Sequence, residues 1–164
     1  MGLLSAFGHD PTIATRDLQG EVSFTPGVKS FEYSRLQLHI RSDSLEVVDE
    51  ISEKDREEMH RKMYNEVLQT DRFPEITYEC SRVTGSGSGD RYWVTLNGEL
   101  TLRGVTRPVP VTARVLMNEN SLRASGEFSL RQSDFGITPV TAAAGAIRLK
   151  DELKLNFDIV ARKG

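Results

Sequence analysis

The sequence predicts an all-β, antiparallel fold of about eight strands with one α-helix inserted at about 53–69. Apolar and polar residues alternate with a period of two through most of the chain, which is typical of half-buried strands. The connections between these runs are short, as antiparallel neighbours allow. One segment instead repeats its apolar residues every fourth position, as an amphipathic helix does. The length predicts a single domain, residues 1–164.

Seven runs of alternating residues stand out. They cover residues 18–24, 36–40, 76–80, 94–102, 109–115, 122–130 and 153–161. Each run presents one apolar face. The polar stretch Thr84 to Gly89 follows the third run and predicts a flexible turn. Alternation alone does not choose between a two-sheet sandwich and a closed barrel, and a barrel of this size is either filled by its own side chains or holds one small ligand.

The fourth and fifth runs predict a hairpin. The segment 97–115 reads NGELTLRGVTRPVPVTARV, in which two alternating runs flank a turn rich in Gly, Arg and Pro. Gly104 is expected to supply a backbone conformation, or a close approach, that a side chain would block. Pro108 presets the entry into the second strand. These residues set the register of the hairpin.

The helix is predicted from its cap and its period. Ser52 is a suitable N-cap, with Asp55 three residues later. Met59, Met63 and Val67 recur every fourth residue and form an apolar stripe. We expect this stripe to close one side or one end of a barrel.

Composition narrows the range of functions. The formal charge of −3 comes from interspersed acids and bases, so no basic stripe for nucleic acid is present. Cys80, the only cysteine, lies in phase with apolar neighbours and is expected to be a small buried residue. No segment has the length of a membrane-spanning helix, and the N-terminal residues do not read as a signal peptide. The sequence as written therefore predicts a cytoplasmic location.

Three motifs resemble the YceI-like family in order and spacing. They are Phe73–Tyr78 (FPEITY), Gly98–Val109 (GELTLRGVTRPV) and Arg131–Gly136 (RQSDFG). The resemblance extends from about Gly8 to Ala161. It implies a lipocalin-like antiparallel barrel that binds an extended isoprenoid lipid, such as a polyprenyl phosphate or a quinone tail, in an apolar internal channel.

Two features depart from the family pattern. Family members begin with an additional strand before the region that matches Leu3 to His9, and many carry an export signal. The first strand of this chain is therefore expected to be truncated, leaving an edge that could recruit a second copy in a homodimer. The stretch from Thr138 to Ala146 is rich in small residues, and we expect a mobile loop at the mouth of the barrel or a dimer contact.

The apolar residues of the alternating runs are the candidate ligand-binding residues. Thirteen are expected to face inward: Val22, Phe24, Leu38, Ile40, Ile76, Tyr78, Leu100, Leu102, Val111, Val115, Phe128, Leu155 and Phe157. Taken singly, each could instead simply fill the barrel. The resemblance is what favours a pocket.

Catalytic and metal sites have weaker support. His9 and His39 could each pair with a carboxylate, but no motif of a known hydrolase accompanies them. Glu57 and His60 have the spacing of one half of a dimetal carboxylate site, and the sequence lacks the second half. Arg103, Arg107, Arg131 and Asp134 are expected to form a network at the rim, as surface pairs rather than as phosphate ligands.

The sequence therefore predicts a non-enzymatic protein that binds, sequesters or transports an isoprenoid lipid, with no other cofactor. A second hypothesis is a stress-related interaction module with a filled barrel that acts through a dimer face. A third is a small hydrolase or isomerase with His9 at the mouth.

Overall fold

The computed structural model describes residues 12–24, 31, 33–138 and 151–164, with the backbone of 141–142 and 147–148. Short 3-10 turns lie at Ser42–Ser44 and Gln132–Phe135. The α-helix is α1 (Glu53–Lys62), which continues into a π-helical turn at Met63–Val67. The strands are β1 (Ile13–Ala14), β2 (Leu18–Ser23), β3 (Arg35–Arg41), β4 (Glu46–Val47), β5 (Glu75–Ser88), β6 (Arg91–Leu102), β7 (Val105–Met117), β8 (Ser121–Arg131), β9 (Thr141–Ala142), β10 (Ile147–Arg148) and β11 (Glu152–Arg162).

One antiparallel sheet forms the body of the molecule. Its seven strands follow the order β11-β8-β7-β6-β5-β3-β2, so most neighbours in space are also neighbours along the chain. The sheet curls into a half-barrel. Two small pairs, β1 with β4 and β9 with β10, accompany it. The predicted antiparallel β fold with one inserted helix is confirmed.

The sheet has two ends, which we name by what lies there. At the helix end are α1, the β6–β7 turn at Arg103–Gly104 and the 3-10 turn at Gln132–Phe135. At the turn end are the β5–β6 turn at Gly89–Asp90 and the β7–β8 turn at Asn118–Asn120.

The helix is attached to the backbone around β4. Ser52 caps it as predicted, since its side chain accepts a hydrogen bond from the Asp55 amide at 3.1 Å. The Nε2 atom of His60 accepts a hydrogen bond from the Val47 amide at 3.0 Å, and the Tyr64 hydroxyl donates one to the Leu45 carbonyl at 2.6 Å. Helical structure over residues 53–67 agrees with the predicted 53–69.

Strand β5 extends further than the sequence suggests. The stretch from Thr84 to Gly89 was expected to be a flexible turn, and this is wrong because β5 continues to Ser88. Gly85 and Gly87 pair with Val94 and Tyr92 of β6. A Cβ atom on Gly85 would lie only 2.2 Å from the Trp93 carbonyl oxygen. Glycine therefore allows a close backbone approach within the ladder.

A β-bulge interrupts β5 between Cys80 and Val83. Cys80 pairs with Gly98, whereas Val83 pairs with Leu96, so β5 holds one residue more than β6 across this step. Two carbonyl oxygens of the bulge accept side-chain hydrogen bonds: that of Arg82 from the Cys80 thiol at 3.4 Å, and that of Ser81 from Arg35 at 3.0 Å. Burial raises the pKa of the Cys80 thiol, and the side chain is buried as the sequence predicts.

The curled sheet encloses two buried clusters of apolar side chains. The first lies towards the helix end and comprises Met63, Leu68, Leu102, Val109, Val111, Leu130, Phe135 and Ile137. The second lies towards the turn end and comprises Phe31, Cys80, Val83, Tyr92, Val94, Ala113 and Val115. The helical turn contributes Met63 to the first cluster, and Tyr64 and Val67 pack against it.

Candidate functional site

The concave face of the sheet carries all thirteen residues that the sequence predicts to face inward. Directly paired residues in an antiparallel ladder share a face. Leu38 pairs with Tyr78, which pairs with Leu100. At the β8–β11 edge of the sheet, on the same face, Phe128 pairs with Leu155. The other eight residues lie on the same face of the sheet: Val22, Phe24, Ile40, Ile76, Leu102, Val111, Val115 and Phe157.

Burial along this face is uneven. Leu102, Val111 and Val115 are buried in the two clusters. The remaining ten are half-buried, so part of each side chain stays accessible: Val22, Phe24, Leu38, Ile40, Ile76, Tyr78, Leu100, Phe128, Leu155 and Phe157. Accessible apolar surface on a concave face is the chemistry that an apolar ligand requires.

Two aromatic rings lie on glycines near the middle of the face. The ring of Tyr78 covers Gly98, where a Cβ atom would lie 2.5 Å from Tyr78 Cζ. The ring of Phe157 covers Gly126, where a Cβ atom would lie 2.9 Å from Phe157 Cζ. Both rings pack against both buried clusters. We call Tyr78 and Phe157 the waist.

The Tyr78 hydroxyl is the polar group of the waist. It donates a hydrogen bond to the Val109 carbonyl at 2.8 Å and lies 3.2 Å from the Leu96 carbonyl oxygen. Burial raises the pKa of Tyr78 far above its usual range, so the group remains a neutral phenol. The ring therefore lies across β6, and backbone carbonyl oxygens satisfy its hydroxyl group.

Three aromatic residues gather at the turn end. Phe24 stacks on Phe31 at 5.5 Å between ring centroids, and Tyr92 meets both rings edge-on. The sequence predicts Phe24 as an inward-facing residue, whereas Phe31 and Tyr92 were not predicted to belong to the site. Tyr92 could have been found from its phase, since it lies two residues before Val94 in an alternating run.

The three motifs meet at the helix end. The Phe73 ring lies over Gly104, whose φ of +74° also requires glycine, so both reasons expected for this residue hold. Arg103 donates to the Gly136 carbonyl at 3.2 Å, and Arg107 donates to the Asp134 carbonyl at 3.1 Å. The sequence predicts surface pairs between the side chains of Arg103, Arg107, Arg131 and Asp134, whereas Arg103 and Arg107 bind backbone oxygens. The motifs therefore form one structural unit.

A family model described as a YceI-like domain matches residues 6–161. The chain belongs to the YceI-like family. No curated protein sequence matches it. The family assignment explains why the three motifs occur together in this order.

Solved structures with the same fold include other YceI-like proteins. The chain resembles a YCEI protein from Campylobacter jejuni with a TM-score of 0.69 and 18% identity, covering 95% of this chain and 86% of that chain. It resembles BcnA from Burkholderia cenocepacia with a TM-score of 0.69 and 21% identity, covering 91% and 86%. It also resembles a polyisoprenoid binding domain from Saccharophagus degradans with a TM-score of 0.62 and 13% identity, covering 90% and 93%. At these identities the likeness concerns the fold.

The two histidines in the described part of this YceI-like domain, His39 and His60, each contact another residue of the chain. His39 Nδ1 lies 3.5 Å from a Glu75 carboxylate oxygen on the exposed side of β3. His60 binds the Val47 amide, as described above. Within residues 12–24, 31, 33–138 and 151–164, no group of His, Cys, Asp and Glu is arranged to hold a metal ion. His9 and the region of Leu3 to His9 lie outside the described residues.

Two further features bear on the expected partners. The side chains of residues 139–150 lie outside the described part of the chain, so the expected loop from Thr138 to Ala146 stays a prediction. Among the helices in the described ranges, none is both long and apolar enough to cross a bilayer.

Proposed function

We propose that the concave face binds one extended isoprenoid chain, of polyprenyl or quinone type. In this proposal residues 1–164 act as one domain that sequesters or carries the lipid without chemical change. The observation that carries the proposal is the row of half-buried apolar side chains that crosses the curled sheet from Val22 to Phe157. Membership of the YceI-like family and the fold shared with a polyisoprenoid binding domain support it.

The energetics are adequate for such a ligand. Burying about 400 Å² of an isoprenoid chain at about 25 cal/mol per Å² contributes roughly 10 kcal/mol before the costs of association and ordering. No charged contact is needed for useful affinity. Selectivity would then depend on the shape of the apolar face, to which the Tyr78 and Phe157 rings contribute.

The waist favours a slender, flexible ligand over a rigid one. Tyr78 and Phe157 rest on Gly98 and Gly126, so their rings lie close to the sheet. The Tyr78 hydroxyl already binds the Val109 carbonyl and so presents little unmet polarity to a hydrocarbon. In this proposal an isoprenoid chain lies along the half-buried residues of the concave face, over the waist.

Native mass spectrometry of the freshly purified full chain tests the proposal. We expect an added mass, and organic extraction of the same sample should release an isoprenoid. The ultraviolet absorbance of a quinone ring distinguishes a quinone from a polyprenyl lipid. A chain that carries no added mass, and that also fails to take up an added polyprenyl or quinone lipid, would contradict the proposal and support the filled interaction module instead.

The expected homodimer stays a prediction. Light scattering coupled to size-exclusion chromatography measures the mass of the particle in solution. A dimeric mass with bound lipid would be compatible with the lipid proposal, whereas a dimer without lipid would support the interaction module.

A further inference from the structure

The convex face of the sheet carries an exposed apolar patch near the turn end. Trp93, Leu116 and Val160 are 54%, 39% and 53% exposed. We call these three residues the Trp93 patch. They lie on β6, β7 and β11, and the apolar row of the concave face points the other way. None of them belongs to either buried cluster.

Arginines alternate with the apolar residues of the patch. Arg91 pairs with Leu116, which pairs with Arg123, which pairs with Val160. In the adjacent row Trp93 pairs with Arg114, whose guanidinium lies 4.8 Å from the centre of the indole ring. The patch therefore joins an exposed indole to cationic side chains.

The two ends of the molecule carry opposite charge. Residues 41–75, at the helix end, contain six basic and eleven acidic side chains, a net of −5. The strand portions near the turn end, residues 79–93, 112–125 and 156–164, contain six basic and four acidic side chains, a net of +2. The Trp93 patch lies on the basic part of an otherwise acidic chain.

We propose that the Trp93 patch docks the protein on the surface of an anionic lipid bilayer. Tryptophan favours the membrane interface because its ring is amphipathic, and clustered arginines are attracted to anionic headgroups. The acidic helix end would face away from the negative surface. This proposal rests on the convex face alone and does not depend on which ligand the concave face takes.

A second copy of the chain fits this patch less well. In a two-fold interface the same surface meets itself, so Arg91 and Arg114 of one copy would approach the arginines of the other. Arg123 binds Asp158 at 2.5 and 2.8 Å, and Arg91 lies 4.0 Å from Asp90. Arg114 instead contacts the Trp93 ring, and within the described part of the chain it forms no ion pair with a carboxylate. Charge complementarity therefore favours an anionic bilayer.

Trp93 reports on the proposal directly because it is the only tryptophan. The full chain is titrated with vesicles of phosphatidylcholine alone and of phosphatidylcholine mixed with phosphatidylglycerol. We expect a blue shift of the tryptophan emission, and co-sedimentation, only with the anionic vesicles. Added salt should weaken both, since it screens exposed charges.

Charge variants test which surface is responsible. The double variant Arg91→Glu and Arg114→Glu should lose most vesicle binding, by about tenfold or more, while Trp93 remains as the reporter. The matched control, Lys54→Glu and Arg61→Glu, makes the same change of charge on α1 at the helix end and should bind as the parent does. Circular dichroism establishes that both variants are folded.

Apolar variants test the patch by co-sedimentation. Trp93→Ser should weaken binding, whereas Val48→Ser, which alters a residue of 53% exposure outside the patch, should not. Equal binding to zwitterionic and anionic vesicles, or an equal loss in patch and control variants, would overturn the proposal. So would a concentration-dependent blue shift without vesicles together with a dimeric mass, because a second copy would then cover the patch.

Discussion

The Tyr78 hydroxyl lies 2.8 Å from the Val109 carbonyl oxygen, although the two residues stand on strands separated by β6. The side chain reaches this distance because Gly98, between them, has no Cβ atom to block the ring. This hydrogen bond therefore connects β5 with β7 across the intervening strand β6. The middle of the candidate site depends on this arrangement.

Replacing Tyr78→Phe tests the contribution of the hydroxyl. We expect the free energy of unfolding to fall by about 1 kcal/mol, since one partly buried hydrogen bond is lost while the ring is kept. Urea denaturation measures this change. Lipid retention should not decrease, because the lost group is polar. The matched variant is Tyr92→Phe, which removes the 2.8 Å bond from its hydroxyl to the Gly89 carbonyl at the turn end.

Replacing Gly98→Ala tests the close approach of the Tyr78 ring. The new methyl group would lie 2.5 Å from Tyr78 Cζ and 2.7 Å from the Glu79 carbonyl oxygen, and we expect a loss of roughly 1–3 kcal/mol from overpacking. In a double-mutant cycle with Tyr78→Ala, part of this loss should disappear. Strictly additive losses would show that the ring does not rest on Gly98.

Replacing Leu100→Arg tests the concave face as the lipid site. The guanidinium would stand among half-buried apolar side chains, so we expect lipid retention to fall by about tenfold or more. Asn97→Arg is the control, because it adds the same group to an exposed position of the same strand. Native mass spectrometry measures the bound lipid. A folded Leu100→Arg variant that retains lipid like the parent would show that the ligand lies elsewhere.

Asp151 makes the stability of the helix end sensitive to acid. Its carboxylate accepts hydrogen bonds from the Ser133 hydroxyl at 2.5 Å and the Ser133 amide at 2.8 Å. The hydroxyl bond is the larger cause that lowers the pKa of Asp151 below its ordinary 3.8. A lowered pKa stabilises the fold above pH 3.8, and this contribution is lost as the pH falls through the folded-state pKa.

The variant Asp151→Asn should therefore have a lower Tm than the parent at neutral pH. The difference in Tm should shrink as the pH falls below 3.8, because the parent then loses the same ionised group. Thermal denaturation across this range measures both effects. A Tm difference that stays constant with pH would show that the charge of Asp151 does not contribute.

Local sequence signals predicted the elements whose structure is decided locally. Ser52 and the four-residue period placed the helix within two residues of its observed extent, and alternation placed the thirteen candidate residues on one face. Local signals failed where residues distant in the sequence determine the local structure. The glycines after Thr84 form a strand because β6 lies against them, and nothing near Phe31 in the sequence shows that it stacks on Phe24.

The contacts of the arginines were also beyond local patterns. Arg107 was expected to take part in a network of surface pairs, but its partner is the backbone oxygen of Asp134, and any residue at that position would present such an oxygen. The amino-acid composition therefore does not indicate that a side chain will bind a main-chain atom. The motifs predicted that Arg107 and Asp134 lie near each other, and the structure shows which atom of Asp134 accepts the hydrogen bond.

The extra residue in β5 decides which side chains enter the half-barrel. Were Cys80 followed by strict alternation, Arg82 would point inward and Val83 outward. Thr84 and Ser86 would then take the inward positions of Gly85 and Gly87, opposite Val94 and Tyr92. The one-residue offset reverses this order. A chain shortened by one residue at Ser81 would still turn Val83 inward, so the length of this strand can vary there without a charged group entering the apolar interior.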